Sequence, residues 1–327
     1  MKNKISIDLH LHFDGSVSLL SARELADMQN ISLPSSDGEL RKLLTVSDDC
    51  RNLAEYLEKF AFPLSLLQTK EAIEKGMNTL CRELIDSGTI YAEIRFAPQL
   101  HVQKGLSQSE VVKAAIKGFK SSKLLGGLIL CCMRGDNNTQ ENMETVGVAQ
   151  SFLGKGVLAL DLAGNEAAFP TKGYKELFAL AKENKVPFTI HAGEADGAAS
   201  IKAAIDMGAL RIGHGVRSVE DKEVLDLLAL KQIPLEICPT SNLNTNIYAN
   251  LSELPLKALF DAGIIVTVNS DNRSVSNTDS NREISILSKE FSLTVEEEKI
   301  LLQNSVRAAF CDEKTKNKLN TIIENKF

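Results

Sequence analysis

The chain has 327 residues, 43% of them hydrophobic and 24% charged, the make-up of a soluble globular protein of enzyme size. Its formal net charge of −6, with Lys and Arg scattered and no basic run, argues against nucleic acid or an anionic membrane surface as partner. No apolar run approaches the length of a membrane span.

Met1-Lys2-Asn3-Lys4 leads straight into a short strand pattern and not into the apolar core of a signal peptide. The six cysteines (Cys50, Cys81, Cys131, Cys132, Cys238, Cys311) form no C-x-x-C pair and no zinc-finger spacing. Several lie in apolar runs, which predicts buried, reduced thiols and a cytoplasmic protein. Nothing in the sequence points to an oligomeric state.

The first strand carries the most chemistry. Ile5, Ile7, Leu9 and Leu11 alternate with Asp8, His10 and His12, the period of two that marks a strand. Side chains two apart on a strand project the same way, so the two imidazoles can converge on one metal ion. Residues 16–88 then read as helix and loop, with Leu53, Tyr56, Leu57 and Phe60, and later Ile73, Met77, Leu80, Leu84 and Ile85, at helical spacing. The apolar stretch from Phe60 to Leu64 fits core packing or a lid over a pocket beside the first strand.

From residue 89 the chain alternates short apolar runs with helical patterns. The runs are Ile90–Ala97, Leu128–Met133, Val157–Ala163, Pro187–His191, Leu210–His214, Pro234–Cys238 and Ile264–Asn269. Between them lie patterns such as Ser109–Lys120, Glu141–Leu153, Tyr174–Glu183, Ala198–Met207, Asp221–Ala229 and Leu254–Ala262, several closed by glycine (Gly88, Gly208, Gly263). Thr294-Val295-Glu296-Glu297 is a capping box opening an amphipathic helix through Ala309. With the N-terminal strand there are eight βα units. That predicts a (β/α)8 TIM barrel spanning 1–327 as one domain, with a helical insertion after the first strand and helices at the C-terminus. A doubly wound sheet lacks its Gly-rich phosphate turn after the first strand.

Barrel enzymes place their chemistry at the C-terminal ends of the strands. Those ends carry His10, His12 and Asp14, then Gly164, His191 with Glu194, His214, and Asp271 with Asn272. Four of the five histidines fall there, and only His101 does not. Three imidazoles and a carboxylate suit one Zn²⁺, so His10, His12, His191 and Asp271 are the candidate ligands. Zinc lowers the pKa of bound water to about 7. Glu194 and His214 stay unliganded nearby, the right residue types for proton transfer.

The segments DLHLHFDGS (8–16), LDLAGNE (160–166), HAGE (191–194), RIGHG (211–215) and VNSDN (268–272), with Leu130-Cys131-Cys132-Met133-Arg134 on the third strand, resemble the adenosine deaminase family of the amidohydrolase superfamily. The resemblance runs nearly end to end. It implies a zinc-dependent hydrolase of purine salvage that turns adenosine, and 2′-deoxyadenosine, into inosine and ammonia. His10, His12, His191 and Asp271 match the family's zinc ligands. Glu194 matches the acid that protonates purine N1, and His214 the histidine that orients the attacking hydroxide, which Asp271 also helps to fix. Among substrate contacts, the resemblance implies His12, with Asp14 for the ribose hydroxyls and the Gly164 amide for N3. Residues 60–64 match a mobile apolar gate.

One position departs from the pattern. Asn272 stands where many members have a second aspartate, which must carry a proton to donate to N7; an amide donates without one. Superfamily members with two metals use a lysine at the end of the fourth strand, where this chain reads Asp161-Leu162-Ala163-Gly164. AMP deamination would call for cations near the phosphate, and the first-strand loop offers only Asp14. A relative acting on free adenine or on a modified adenosine is the main alternative; family adenine deaminases tend to have glutamate where Asp14 stands. A non-catalytic nucleoside-binding barrel would be signalled by loss of Glu194 or His214, and both are present. The cytidine-type zinc signature is absent.

Overall fold

The computed structural model describes residues 5–327. Eight parallel strands follow one another along the chain: β1 (Ser6–His12), β2 (Thr89–Phe96), β3 (Gly126–Met133), β4 (Val157–Ala163), β5 (Thr189–Ala192), β6 (Arg211–His214), β7 (Leu235–Ile237) and β8 (Val266–Val268). They form two four-stranded sheets, β1–β4 and β5–β8. Backbone bonds join the sheets at both seams. Leu160 pairs with Phe188 between β4 and β5, and Leu11 pairs with Asp271 beyond the end of β8. At the second seam Asp271 N donates to His10 O (2.8 Å) and His12 N to Asp271 O (2.7 Å). The eight strands thus close into a (β/α)8 barrel, as the alternation of patterns predicts.

The helices meet their predicted stretches with small shifts at the ends, each with a local cause. Ala198–Met207 is as expected. Asp221 is a cap, its carboxylate accepting from Glu223 N and Val224 N, so the helix proper is Lys222–Lys231. Pro255 interrupts the Leu254–Ala262 pattern, and the helix is Leu256–Asp261. The Thr294 capping box forms with both reciprocal bonds and opens Val295–Ala308. The insertion after β1 folds as Leu19–Met28, Asp37–Leu44, Leu53–Leu57, Ala61–Leu66 and Lys70–Asp86. A single large apolar cluster reaches from Ile7 to Ile323. Among the described residues no helix is long and apolar enough to cross a membrane.

The inside of the barrel is ionic. Arg95 bridges Asp161 (2.9 Å) and Glu236 (2.8 Å), while Arg211 pairs with Glu236 (2.6 Å) and Glu93 (2.7 Å); all five side chains are buried. Buried charges persist only when paired in this way. The column ends just beneath the histidines.

Candidate active site

His10 and His12 end β1, His191 lies on β5, His214 ends β6, and Asp271 follows β8. The strand register aligns these ends, with His12 opposite Arg95 and Ala192 opposite His214. His10 Nε2 lies 3.0 Å from His191 Nε2, and His12 Nε2 lies 3.2 Å from the same atom. Asp271 Oδ1 is 3.4 Å from both His10 Nε2 and His12 Nε2. His214 joins the group, since ligand atoms of His10, His191, His214 and Asp271 all lie within 4.8 Å of one another. His214 and Asp271 hold left-handed backbone conformations (φ 59° and 58°), unusual for non-glycine residues and typical of functional sites.

Two of the candidate ligands, His10 and His191, have a carboxylate behind them. His10 Nδ1 is 2.8 Å from Glu236 Oε2, and His191 Nδ1 is 2.9 Å from Asp161 Oδ2. A carboxylate only accepts, so both Nδ1 atoms carry hydrogen and both Nε2 lone pairs face the centre. Two lone pairs 3.0 Å apart beside a buried carboxylate oxygen that has no hydrogen-bond partner are what a cation would satisfy. A tetrahedral ion with roughly 2.0–2.1 Å bonds requires donor separations of about 3.3 Å, close to those here. His214 differs: its Nδ1 faces the Asn242 amide nitrogen at 3.1 Å, so in this arrangement its Nε2 carries the hydrogen. That leaves His214 a donor and favours His12 as the third imidazole.

Charge states follow from these neighbours. Burial disfavours the imidazolium, holding His12, His191 and His214 below the ordinary range as neutral rings. Burial and Arg95 act the same way on His10, yet Asp271 and Glu236 outweigh them and hold this ring above the ordinary imidazole range. Burial would raise Asp161 and Glu236 too, but the cations and imidazoles around them win, and both stay ionised. Glu194 has only Arg134 to offset its burial. Burial, then the charges of Asp271 and Glu166, push its carboxyl well above the ordinary range. Glu194 Oε2 lies 3.7 Å from His214 Nε2.

These groups open onto a cavity of about 340 Å³, also lined by Asp14, Gly164, Asn272, Leu57, Phe60 and Leu64. Gly164 adopts φ +105°, which side-chain-bearing residues rarely do. A side chain at Gly15 would run into the Asn272 amide oxygen. Burial raises the Asp14 carboxyl to about 6. The apolar stretch after residue 52 forms the outer wall, with Phe60 edge-on to His12 at 6.4 Å. Tyr56 ties that wall to the barrel through a 2.7 Å bond to Ser276 Oγ. His101, off the strand ends as the sequence implies, is buried 4.0 Å from Asp14 Oδ2. Every predicted site residue borders this cavity or, like His10, lies directly beneath it. Asp161, Glu236, Glu166 and Asn242, which support the site, were not among the predicted residues.

The match to known proteins agrees with this geometry. The adenosine deaminase family model matches residues 6–326. The chain belongs to the adenosine deaminase family. An adenosine deaminase of Haemophilus ducreyi is 44% identical, covering 98% of this chain and 96% of that one. One from Enterococcus faecalis is 37% identical over the same shares. Among solved structures, adenine deaminase from Arthrobacter aurescens superposes with a TM-score of 0.87 at 26% identity, covering 98% of each chain. A family assembled around this site is one of metal-dependent hydrolytic deaminases.

Proposed function

We propose that the protein hydrolyses adenosine, and 2′-deoxyadenosine, to inosine and ammonia with one zinc ion held by His10, His12, His191 and Asp271. The observation that carries this reading is the convergence of three imidazole nitrogens and Asp271 Oδ1 below a largely apolar cavity lined by a buried carboxyl, Glu194. A zinc ion in such a site supplies Lewis acidity, bringing the pKa of coordinated water to about 7.

The remaining groups divide the work. Glu194, kept protonated by burial, donates to purine N1 and makes C6 electrophilic. Asp271 and the His214 Nε2–H orient the attacking oxygen at C6. As that oxygen bonds to C6, water's other proton returns to Glu194; the proton left on the oxygen then passes to N6, and the C6–N6 bond breaks to release ammonia and leave the 6-oxo purine with hydrogen on N1. Gly164 offers its backbone N–H to N3, Asn272 its amide N–H to N7, and Asp14 accepts from the ribose hydroxyls alongside His12. Residues 57–64 exclude water above the purine, which strengthens each polar contact.

Ammonia release from adenosine, adenine and AMP, measured in parallel before and after metal stripping and zinc return, tests this. Activity on adenosine alone, lost on stripping and restored by zinc, is expected. Preference for free adenine would overturn the role of Asp14 while leaving the hydrolytic chemistry intact.

A further inference from the structure

Glu166 closes the LDLAGNE segment, yet its side chain does not line the cavity. It is 1% exposed and carries five hydrogen bonds. Its Oε1 accepts from Gly193 N (2.8 Å) and Ser200 Oγ (2.5 Å), and its Oε2 from the amides of Glu194 (3.0 Å), Ala195 (2.8 Å) and Asp196 (3.1 Å). Four consecutive amides turned onto one carboxylate form an anion-binding nest. The bend begins at Gly193, whose φ of +69° and close approach to Ile201 (a Cβ would lie 2.4 Å from its Cδ1) exclude a side chain.

A chain of donors steadies the carboxylate from behind. Ser200 gives its one hydroxyl hydrogen to Glu166, so at the 2.6 Å contact with Thr171 Oγ1 it is Thr171 that donates. Arg134 Nη2 donates to Thr171 Oγ1 (2.8 Å) and to the His191 carbonyl (2.6 Å). The segment from His191 to Asp196 is therefore gripped at its carbonyl by Arg134 and at its amides by Glu166. Glu194 lies in the middle of that grip, and among the described residues its only ion-pair contact is the His214 ring at 3.7 Å. The backbone of this segment sets where its side chain leaves the main chain.

We propose that Glu166 is the positioning residue for Glu194, fixing through the 193–196 amides the direction in which the proton donor enters the cavity. This rests on the role given to Glu194 in the proposed deamination. Glu166→Gln keeps the size but turns an NH₂ group toward an amide N–H, so at least one of the five bonds is lost.

The test uses the full-length zinc-loaded chain. Glu166→Gln should lower kcat per bound zinc by about 10- to 100-fold, as angstrom-scale misplacement of a reacting group does, with KM held within about threefold. Hydrogen exchange at the amides of 193–196 should accelerate in the same variant. Glu166→Asp, one carbon shorter, retains the charge but not the reach, and should fall between the two. A purely structural role predicts fewer folded molecules and less zinc but unchanged kcat per zinc, and that result would overturn the proposal, as would unchanged amide exchange. Should Glu166→Gln not fold, Ser200→Ala decides, since it removes the hydroxyl's bonds to Glu166 and Thr171 but leaves the four amide bonds of the nest in place. A fall in kcat of roughly two- to fivefold with full zinc content supports the proposal, and wild-type kcat refutes it. If the wild type does not act on adenosine, the deaminase reading fails by itself, and the exchange measurement still reports on Glu166.

Discussion

Glu236 accepts a hydrogen bond from His10 through the same oxygen that receives Arg95, both at 2.8 Å. One carboxylate thus joins His10, a proposed ligand, to the ionic column that fills the barrel. Its other oxygen takes Arg211 at 2.6 Å. Glu236→Gln should weaken zinc affinity about 10- to 100-fold, the usual effect of losing a carboxylate behind a ligating histidine. It also leaves two buried guanidinium groups short of charge, a loss of about 3–5 kcal/mol in stability. Chelator competition and thermal unfolding of the same variant check both; wild-type zinc affinity would remove Glu236 from the site.

Glu194→Gln should cut turnover by about 10²- to 10⁴-fold with zinc retained, because Glu194 is not a proposed ligand. Metal content by atomic absorption separates the two effects. Because burial raises the Glu194 carboxyl well above the ordinary range, its protonated form persists to higher pH than that of an exposed glutamate, and activity should fall as pH climbs through that raised value. A wild-type profile that already falls within the ordinary glutamate range as pH rises would contradict the assignment.

Asp14→Ala should reduce kcat/KM for adenosine far more than for free adenine, by about 1–3 kcal/mol of binding free energy for the unmatched hydroxyls. Comparable losses on both substrates would take the ribose away from Asp14.

Asn272→Asp should keep activity but give it a new alkaline limb, since an aspartate must be protonated to donate to N7 where the amide donates at every pH. Matching pH–rate profiles for the variant and the wild type would eliminate the N7 contact.

Glu283 offers a test of stability. Its buried carboxyl accepts from Thr240 N (2.9 Å), from Thr240 Oγ1 and from Thr278 Oγ1, and burial raises its pKa to about 7. The folded state therefore binds this proton more tightly than the unfolded chain does. The resulting stability is complete below the unfolded value of about 4.5 and is lost as pH rises to about 7, a fall of roughly 3 kcal/mol. Glu283→Gln should flatten that part of the pH–stability curve. Parallel denaturation curves for the two proteins from pH 5 to 8 would show that Glu283 is ionised when folded.

The strand ends were legible because a barrel delivers its chemistry there, and because His10 and His12 stand two apart in an otherwise apolar run. Helix limits slipped where a polar cap or proline competes with periodicity, as at Asp221 and Pro255. Asp161 and Glu236 escaped notice because their partners, His191 and His10, lie 30 and 226 residues away, beyond any spacing rule. A signal was nonetheless present. Each is a lone acid within an apolar strand, and a buried charge of that kind demands a partner. The Glu166 nest left no such trace, since backbone amides carry no sequence signature.

The seam between β1 and the end of β8 has a consequence for assembly. Of the proposed ligands, His10 and His12 belong to the first four-stranded sheet, while His191 and Asp271 belong to or follow strands of the second. Neither sheet holds a complete set, and the two backbone bonds of Asp271 bring its carboxylate level with both β1 histidines. Zinc would then act as a rivet across the two halves of the barrel. High-affinity uptake by a nascent chain has to wait for ring closure, and the bound ion in turn resists its opening.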